Sequence, residues 1–329
     1  MINVFQVGVG PLGQKIVKYI YERSGIKLVA AVDSDPEKTG KDIGELCSMN
    51  PVGVTIEKDL SEAIKGRQVQ VAVVSTVSSI KKIAPLISQI AALGIHIVTT
   101  CEELSYPWST NPEISRQIDE VCKSHGVSCI GTGVNPGFLM DYLPLVFTSI
   151  CQHVEKVVVT RVQDASHRRI PFQQKIGAGL NVAQFQKEKQ NGTLRHVGLT
   201  ESVNMIASGL RWKLDRVEDV LEPVLAEEPV NSGYRRIKPG QVRGVMQTGK
   251  GFVKNKEKII LVFKAAVGEG NPYDKVEIIG TPSFTSMIPG GINGDIATSA
   301  ITVNMVGSIL TAKPGLNTMS DIAVPSFFV

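Results

Sequence analysis

Short apolar runs and segments with helical spacing alternate along the first 130 residues of the chain. Residues 3–7 and 28–32 are apolar runs of strand length, and residues 11–21 between them repeat their apolar positions at helical spacing. The alternation continues with predicted strands at 69–74, 95–98 and 128–130 and predicted helices at 80–93 and 111–125. Strands and helices in this order require right-handed crossovers, which predicts an α/β fold with a doubly wound parallel sheet.

The hydrophobic pattern changes near residue 150. Residues 155–162, 256–267 and 275–280 alternate between apolar and polar positions, as strands with one exposed face do. Two helices are predicted here, at 200–210 with Thr200 as its N-cap and at 295–310, and residues 229–244 resemble a loop. We therefore expect a second, α+β domain at 141–294 with an open mixed sheet, while residues 1–140 and 295–329 form the first domain. An uncovered sheet face predicts a homodimer.

Composition and charge narrow the class of protein. Hydrophobic residues make up 43% and charged residues 20% of the 329 residues, as in ordinary globular proteins. A net charge of +4 without dense basic runs argues against nucleic-acid binding, and no apolar stretch reaches the length of a membrane span. Five cysteines without a C-x-x-C pair argue against a disulfide framework and a metal site, and no signal peptide is visible. We expect a cytoplasmic protein without a metal.

A glycine motif follows the first predicted strand and begins the first helix. Gly8, Gly10 and Gly13 fit the pattern G-x-G-x-x-G. The first glycine permits a tight turn, the second lets a pyrophosphate approach the backbone, and the third lets the helix pack on the strand. Because Pro11 has no amide hydrogen, Leu12 supplies the first free amide for the phosphates, followed by Gly13. This strand–turn–helix context predicts a Rossmann dinucleotide site.

The end of the second predicted strand indicates which dinucleotide is bound. Asp33 lies there, twenty residues after Gly13, where a carboxylate accepts the ribose hydroxyls and repels a 2′-phosphate. The position favours NAD. Ser34 and Lys38 offer a hydroxyl and a charge to a 2′-phosphate, so NADP stays open as an alternative.

Polar residues also follow the next two strands of the parallel sheet, at the edge where ligands bind. Ser75, Thr76 and Thr100 offer hydroxyls to the nicotinamide-side ribose, or simply cap the strand ends. Glu102 and Glu103 follow at the expected place of the nicotinamide ring. A carboxylate there can orient an amine and transfer protons, although both residues also fit the acidic start of a helix.

Four further residues are candidates for substrate binding. Asn135 and Phe138 follow the sixth strand, and His167 and Arg168 follow the first strand of the second domain. Arg168, or its neighbour Arg169, could make a two-pronged contact with a carboxylate. Phe138 also fits a core position, and the arginine also fits a solvated loop. Asp141 is interpreted as a helix cap.

The chain resembles a known enzyme family in two segments that contain these candidates. TTCEELSYPW at 99–108 and GTGVNPGF at 131–138 are similar to the 2,4-diaminopentanoate dehydrogenases and related native amine dehydrogenases, which share their fold with dihydrodipicolinate reductase. The resemblance extends along the chain, including VDSDP at 32–36 and NGD at 293–295. It implies NAD(P)-dependent oxidative deamination of 2,4-diaminopentanoate to 2-amino-4-oxopentanoate and ammonia in ornithine degradation. It also implies that a glutamate after the fifth strand serves the amine, which we place on Glu102 first and Glu103 second.

Other functions fit the sequence less well. Dihydrodipicolinate reductase carries an H-H-x-x-K motif followed by S-G-T, whereas the corresponding segments here are SHRRIPF at 166–172 and GAG at 177–179. An imine reductase of that fold, or another amino-acid dehydrogenase, is the first alternative. A non-catalytic NAD(H)-sensing protein is the second, although no DNA-binding element supports it.

Overall fold

The structure, a computed structural model, describes residues 1–194 and 196–329. The chain forms two compact units, of which the first comprises residues 1–138 and 293–329 and the second residues 139–292. None of the described helices has the length and apolar character needed to cross a membrane.

The first unit is a seven-stranded parallel sheet with the order β15-β6-β5-β4-β1-β2-β3. Its strands are β1 (Ile2–Val7), β2 (Ile26–Val32), β3 (Ile56–Glu57), β4 (Val71–Val74), β5 (His96–Thr99), β6 (Ser128–Gly131) and β15 (Gly315–Asn317). Its helices are α1 (Pro11–Tyr21), α2 (Ile43–Leu46), α3 (Leu60–Ile64), α4 (Ile80–Ala92), α5 (Pro112–Ser124) and α10 (Gly294–Ile309), with a 3₁₀ turn at Glu102–Leu104. The strand order reverses between β1 and β4, where Rossmann folds bind their ligands. The predicted Rossmann sheet is confirmed.

Helix α10 follows the second unit in sequence but belongs to the first. It packs against α1 and β5, and burial extends to Ser299, Thr302 and Val306. Its buried residues recur at helical spacing along one side of the helix, while Ile296 near its start is 49% exposed.

The second unit is built on a six-stranded mixed sheet with the order β14-β13-β7-β12-β11-β8. Its strands are β7 (His153–Asp164), β8 (Arg216–Leu225), β11 (Val242–Val253), β12 (Lys256–Ala266), β13 (Tyr273–Thr281) and β14 (Phe284–Pro289), with a separate small hairpin β9 (Val230–Asn231) and β10 (Arg236–Ile237). Its helices are α6 (Tyr142–Thr148), α7 (Ile170–Lys175), α8 (Val182–Gln190) and α9 (Leu199–Gly209). The pair β7–β12 is parallel and the other pairs are antiparallel, which confirms the mixed sheet.

The two faces of this sheet differ. The inner face carries the hydrophobic core of the unit, and α9 packs so closely on it that a Cβ at Gly249 would lie 2.9 Å from Leu199. The outer face has the opposite parity along the strands. It includes Val158, Met246, Ile260 and Val262, together with the exposed side chains of Val220, Ile279 and Met287.

Two local predictions for this unit are wrong. Thr200 does not cap α9, because Gly198 takes the N-cap position with a φ of 106° and leaves Thr200 inside the first turn. The expected loop at 229–244 contains β9, β10 and the start of β11. The sequence pattern also missed the edge strands β8 and β14. Asp141, in contrast, caps α6 as predicted, since its side chain accepts a hydrogen bond from the Tyr142 amide.

Candidate functional site

The glycine turn between β1 and α1 has the geometry that its sequence predicts. Gly8 has a φ of +86°, and a Cβ there would lie 2.8 Å from the Ser75 carbonyl oxygen. A Cβ at Gly13 would lie 2.1 Å from the Gly8 carbonyl oxygen, so only glycine lets α1 start this close to the strand. A Cβ at Gly10 would meet no atom within 4 Å, so this side of the turn is open to a ligand. Pro11 is the first residue of α1, which leaves the amides of Leu12 and Gly13 at the helix start.

Two side chains hold the glycine turn from inside the sheet. The Gln6 Nε2 donates to the Gly8 carbonyl at 2.8 Å and to the Ser75 Oγ at 2.9 Å. The Ser75 hydroxyl donates to the same Gly8 carbonyl at 3.0 Å. Ser75, predicted to bind cofactor, therefore also stabilises the turn, and Gln6 is a support that the sequence analysis missed.

Asp33 lies at the end of β2 and is tied to the glycine turn. Its Oδ2 accepts a hydrogen bond from the Val9 amide at 2.6 Å, and its Oδ1 accepts one from the Asp35 amide at 2.9 Å. The Lys38 Nζ lies 3.2 Å from the Oδ2 of Asp33 and 3.2 Å from that of Asp35. Burial opposes the charge of Lys38, but the hydrogen bonds and charges of the two aspartates outweigh it and raise the lysine pKa. The Lys38 ammonium thus lies between the carboxylates of Asp33 and Asp35. These groups, with exposed Ser34 beside them, lie at the predicted position of the ribose.

The two predicted catalytic glutamates have different surroundings after β5. The Glu103 Oε2 accepts a hydrogen bond from the Ile80 amide at 2.9 Å, so Glu103 satisfies the start of α4. Half-buried Glu102 makes no side-chain hydrogen bond or ion pair with residues 1–194 or 196–329. Thr76 is exposed and Thr100 is half-buried at the neighbouring strand ends, and the Thr100 amide donates to the Val74 carbonyl. Glu103 therefore has a structural role at the start of α4, whereas the Glu102 carboxylate has none among the described residues.

The segment after β6 lies against the turn that carries Glu102. A Cβ at Gly131 would lie 2.5 Å from the carbonyl carbon of Leu104, so the end of β6 and the 3₁₀ turn are in direct contact. The Val134 amide donates to the Thr298 Oγ1 of α10 at 3.2 Å. The Asn135 Nδ2 is buried without an acceptor among the described residues, and Phe138 is half-buried. Asn135 thus has an unused donor in the segment next to the glutamate turn.

A row of polar side chains crosses the inner face of the second unit's sheet. The pairing register places Gln247, Phe263, Arg161 and Asp274 side by side on β11, β12, β7 and β13. Three of these four side chains are polar, and we call the four residues the polar row. The Arg161 Nη1 lies 2.5 Å from the Asp274 Oδ1, and both side chains are buried. The Arg161 Nη2 donates to the Ile292 carbonyl at 2.8 Å, while the Asp274 Oδ2 accepts from the Ile292 amide at 2.7 Å. These bonds stabilise a charged pair that would otherwise be costly to bury.

Arg168 lies next to this row, whereas His167 does not take part in it. The Arg168 guanidinium stacks on the Phe172 ring at 4.2 Å, and its Nη1 lies 3.5 Å from the Oε1 of Gln163 on β7. His167 is exposed. A different histidine, His196, contacts the row, and its ring lies 4.4 Å from that of Phe263.

The polar row can be detected in the sequence from the spacing of its residues on β7, although it is absent from the predictions above. On β7, Arg161 and Gln163 have the same inward parity as the buried Val157 and Val159. Polar residues that continue a buried apolar parity mark a polar part of a core, because their burial requires partners. Partners such as Asp274 lie more than 100 positions away in the sequence and could not be identified from it.

Comparisons with known proteins agree with this architecture. Residues 138–329 match the family model for the 2,4-diaminopentanoate dehydrogenase C-terminal domain, and residues 2–101 match that for the dihydrodipicolinate reductase N-terminus. The 2,4-diaminopentanoate dehydrogenase of Acetoanaerobium sticklandii is 32% identical over 98% of this chain and 94% of its own.

Solved structures show the same fold. An amine dehydrogenase from Mycobacterium smegmatis superimposes with a TM-score of 0.87 at 20% identity, covering 99% of this chain and 97% of its own. A biliverdin reductase from Synechocystis, solved with biliverdin and NADP⁺, gives a TM-score of 0.55 at 10% identity, covering 97% and 94%. With the family models and the relative identical at 32% along nearly its whole length, these matches identify the chain as a member of the 2,4-diaminopentanoate dehydrogenase family, a group of nicotinamide-dependent oxidoreductases.

Proposed function

We propose that this enzyme oxidatively deaminates 2,4-diaminopentanoate with NAD⁺ or NADP⁺, giving 2-amino-4-oxopentanoate, ammonia and the reduced cofactor. The observation that carries the proposal is the Glu102 carboxylate, which is half-buried, has no structural partner among the described residues, and follows the strand next to the cofactor crevice. The 2,4-diaminopentanoate dehydrogenase of Acetoanaerobium sticklandii, which is 32% identical to this chain, supports the choice of substrate.

The residues of the first unit fit a dinucleotide. The open side of Gly10 and the amides of Leu12 and Gly13 suit a pyrophosphate, and Asp33 suits the adenosine ribose. We assign Thr76 and Thr100 to the nicotinamide-side ribose, with Ser75 supporting the turn. When bound, the nicotinamide supplies the hydride acceptor, while the protein supplies position and electrostatics.

Glu102 acts on the amine before and after its oxidation. The substrate amine is an ammonium ion at neutral pH, and it must lose a proton before its lone pair can assist loss of hydride from carbon. The Glu102 carboxylate accepts that proton and passes it to bulk water, and the carboxylate so restored stabilises the iminium ion that results. It then takes a proton from the water that adds to the iminium carbon, and returns a proton to the nitrogen as ammonia leaves. One substrate ammonium ion, one water and one oxidised cofactor thus give one ketone, one free ammonium ion, one reduced cofactor and one proton released to solvent.

The remaining predicted substrate residues divide into two groups. Arg168 supplies a guanidinium that can receive a carboxylate in two-pronged geometry, and Asn135 supplies a buried amide donor without an acceptor among the described residues. We keep both as substrate-binding proposals, with Phe138 as an apolar contact. His167 is exposed and has no comparable support.

The function is tested by amine-dependent NADH or NADPH formation across amines, amino acids and cyclic imines. We expect turnover with 2,4-diaminopentanoate and, in reverse, ammonium-dependent oxidation of NADH or NADPH with 2-amino-4-oxopentanoate. Ornithine and pyrroline carboxylates serve as matched alternatives. Turnover with these and none with the diamine would contradict the proposed substrate, and cofactor binding without any turnover would favour a sensing protein.

We also propose that two copies associate through the outer face of the second unit's sheet. Val220, Ile279 and Met287 are 44%, 40% and 48% exposed on this face, and Ile260 and Val262 at its centre are half-buried. A second copy offers the same alternating surface, which favours a symmetric pair.

Val262→Asp places a charge in the middle of that face and should convert the dimer to a monomer in light scattering. Val182→Asp makes the same change at an exposed position on α8 and should leave the dimer intact. A monomeric wild-type protein at micromolar concentration would refute the proposed association.

A further inference from the structure

The peptide group between Gly8 and Val9 is bound from two opposite sides. Its carbonyl oxygen accepts hydrogen bonds from the Gln6 Nε2 at 2.8 Å and from the Ser75 Oγ at 3.0 Å. Its amide, which belongs to Val9, donates to the Asp33 Oδ2 at 2.6 Å. The carbonyl and the amide of a trans peptide point in opposite directions within one rigid plane. The side chains of Gln6 and Ser75 therefore bind one end of the same group whose other end binds Asp33.

The conformation of Gly8 explains why this peptide needs to be held. The Gly8 amide donates to the Val32 carbonyl at 2.9 Å, which fixes the residue beside the end of β2. Gly8 has a φ of +86° and no Cβ, so the peptide that follows it can rotate at little steric cost. After such a rotation the Gly8 carbonyl oxygen would replace the Val9 amide in front of the Asp33 carboxylate, and two acceptors would face each other. The hydrogen bonds to the Gly8 carbonyl oppose that rotation.

Gln6 is a costly residue for its position inside the sheet. It is 0% exposed on β1, and its Oε1 has no donor among residues 1–194 and 196–329. An unpaired buried oxygen costs free energy, which an apolar side chain of similar length would avoid. The Gln6 Nε2, in contrast, donates both to the Gly8 carbonyl and to the Ser75 Oγ at 2.9 Å. What distinguishes this glutamine from an apolar residue is therefore the donor that it offers to the glycine turn.

The Asp33 carboxylate depends on the Val9 amide for its orientation. The Oδ2 accepts hydrogen bonds from the Val9 amide and from the Lys38 Nζ at 3.2 Å, while the Oδ1 accepts one from the Asp35 amide at 2.9 Å. Since each carboxylate oxygen has about two acceptor positions, the capacity that the described residues leave for a ribose hydroxyl lies on the Oδ1. Loss of the bond to Val9 would let the carboxylate turn and carry that position away from the ribose.

We propose that Gln6 is a positioning residue of the cofactor site, which strengthens the preference for NADH over NADPH by holding the Gly8–Val9 peptide in the orientation that Asp33 requires. Gln6 is fully buried and acts through this one peptide group rather than by contact with the cofactor. The inference rests on the proposed role of Asp33 at the ribose.

The first test replaces Gln6 by methionine. Gln6→Met keeps the length of the side chain and removes both the donor and the unpaired oxygen, so the protein should fold. Fluorescence titration gives the dissociation constants for NADH and NADPH. We expect the preference for NADH to fall by about 3- to 10-fold, which is the worth of one neutral hydrogen bond. Ser75→Ala removes the other donor to the Gly8 carbonyl and should shift the ratio of the two constants in the same direction.

A second glutamine provides the matched control. The Gln14 Nε2 donates to the Val9 carbonyl at 3.2 Å, one peptide farther along the turn than the bond to Asp33. Gln14→Met makes the same chemical change as Gln6→Met and should leave the ratio of the dissociation constants unchanged. A residue that only stabilises the fold would alter the melting temperature and not this ratio.

A double-mutant cycle tests whether the effect passes through Asp33. If it does, adding Gln6→Met to Asp33→Ala should leave the ratio within about twofold of that of Asp33→Ala alone. Additive effects, or an unchanged ratio in the folded Gln6→Met and Ser75→Ala proteins, overturn the inference. If Asp33→Ala shifts the ratio and Gln6→Met does not, the proposed role of Asp33 stands and the inference alone fails, whereas an unchanged ratio in every variant refutes both. Because titration requires no turnover, these results do not depend on the proposed substrate.

Discussion

Glu102→Gln should lower kcat for oxidation of 2,4-diaminopentanoate by about 10²- to 10⁴-fold, the range typical of general acid–base catalysis. Glutamine keeps the shape of the side chain, but it cannot accept the ammonium proton or stabilise the positive iminium ion. The Glu102 carboxylate makes no hydrogen bond or ion pair with the described residues, so its replacement should leave the fold unchanged. Steady-state kinetics measure the loss, and titration with NADH should show a dissociation constant near that of wild type.

The neighbouring glutamate provides the matched control. Glu103→Gln makes the same chemical change one residue away, and the glutamine can still accept the hydrogen bond of the Ile80 amide. We expect near-wild-type turnover, with a small loss of thermal stability because a neutral acceptor at the start of α4 is weaker than a carboxylate. The reverse result, with Glu103→Gln inactive and Glu102→Gln active, would move the catalytic role to Glu103.

The sequence predicts that Glu102 and Glu103 lie near the cofactor, but it does not predict which of them is free to act on a substrate. Both follow β5 and both are acidic, so sequence alone left them as alternatives. The difference comes from the Ile80 amide, which lies 23 positions earlier and meets Glu103 only through the packing of α4 beside the strand end. Chemistry at a strand end can be predicted, because parallel strands present their carboxyl ends at one edge. The direction of each side chain there depends on tertiary contacts.

Tertiary contacts also decide which strands can be predicted from the sequence. The sequence predicts strands at residues 3–7 and 28–32, within β1 (Ile2–Val7) and β2 (Ile26–Val32), because a strand buried on both faces is rich in consecutive apolar residues. The edge strand β8 was missed because it is largely exposed and carries Glu218, Asp219 and Glu222. Its pairing with β11 stabilises it despite a sequence with little strand character.

The second large effect is expected when Asp33 is replaced, and it is a change in the preference for NADH over NADPH. Asp33→Ala should reduce this preference by about 10- to 100-fold, as expected for loss of a hydrogen bond to a charged group together with removal of a repulsive charge. The Asp33 Oδ2 also anchors the Val9 amide at 2.6 Å, so the glycine turn loosens and both cofactors lose affinity. The ratio of the two dissociation constants, measured by fluorescence titration, cancels that shared loss.

Two further variants separate charge from contact at this site. Asp35→Ala removes the same charge and the other partner of Lys38, but no tie to the glycine turn, and should change the ratio much less. Lys38→Ala should shift the ratio towards NADH, because the ammonium between the two aspartates is the group best placed to meet a 2′-phosphate. An unchanged ratio in Asp33→Ala would remove Asp33 from the cofactor site. An equal response in Asp33→Ala and Asp35→Ala would mean that the local negative charge, and not a bond from Asp33 to the ribose, sets the preference.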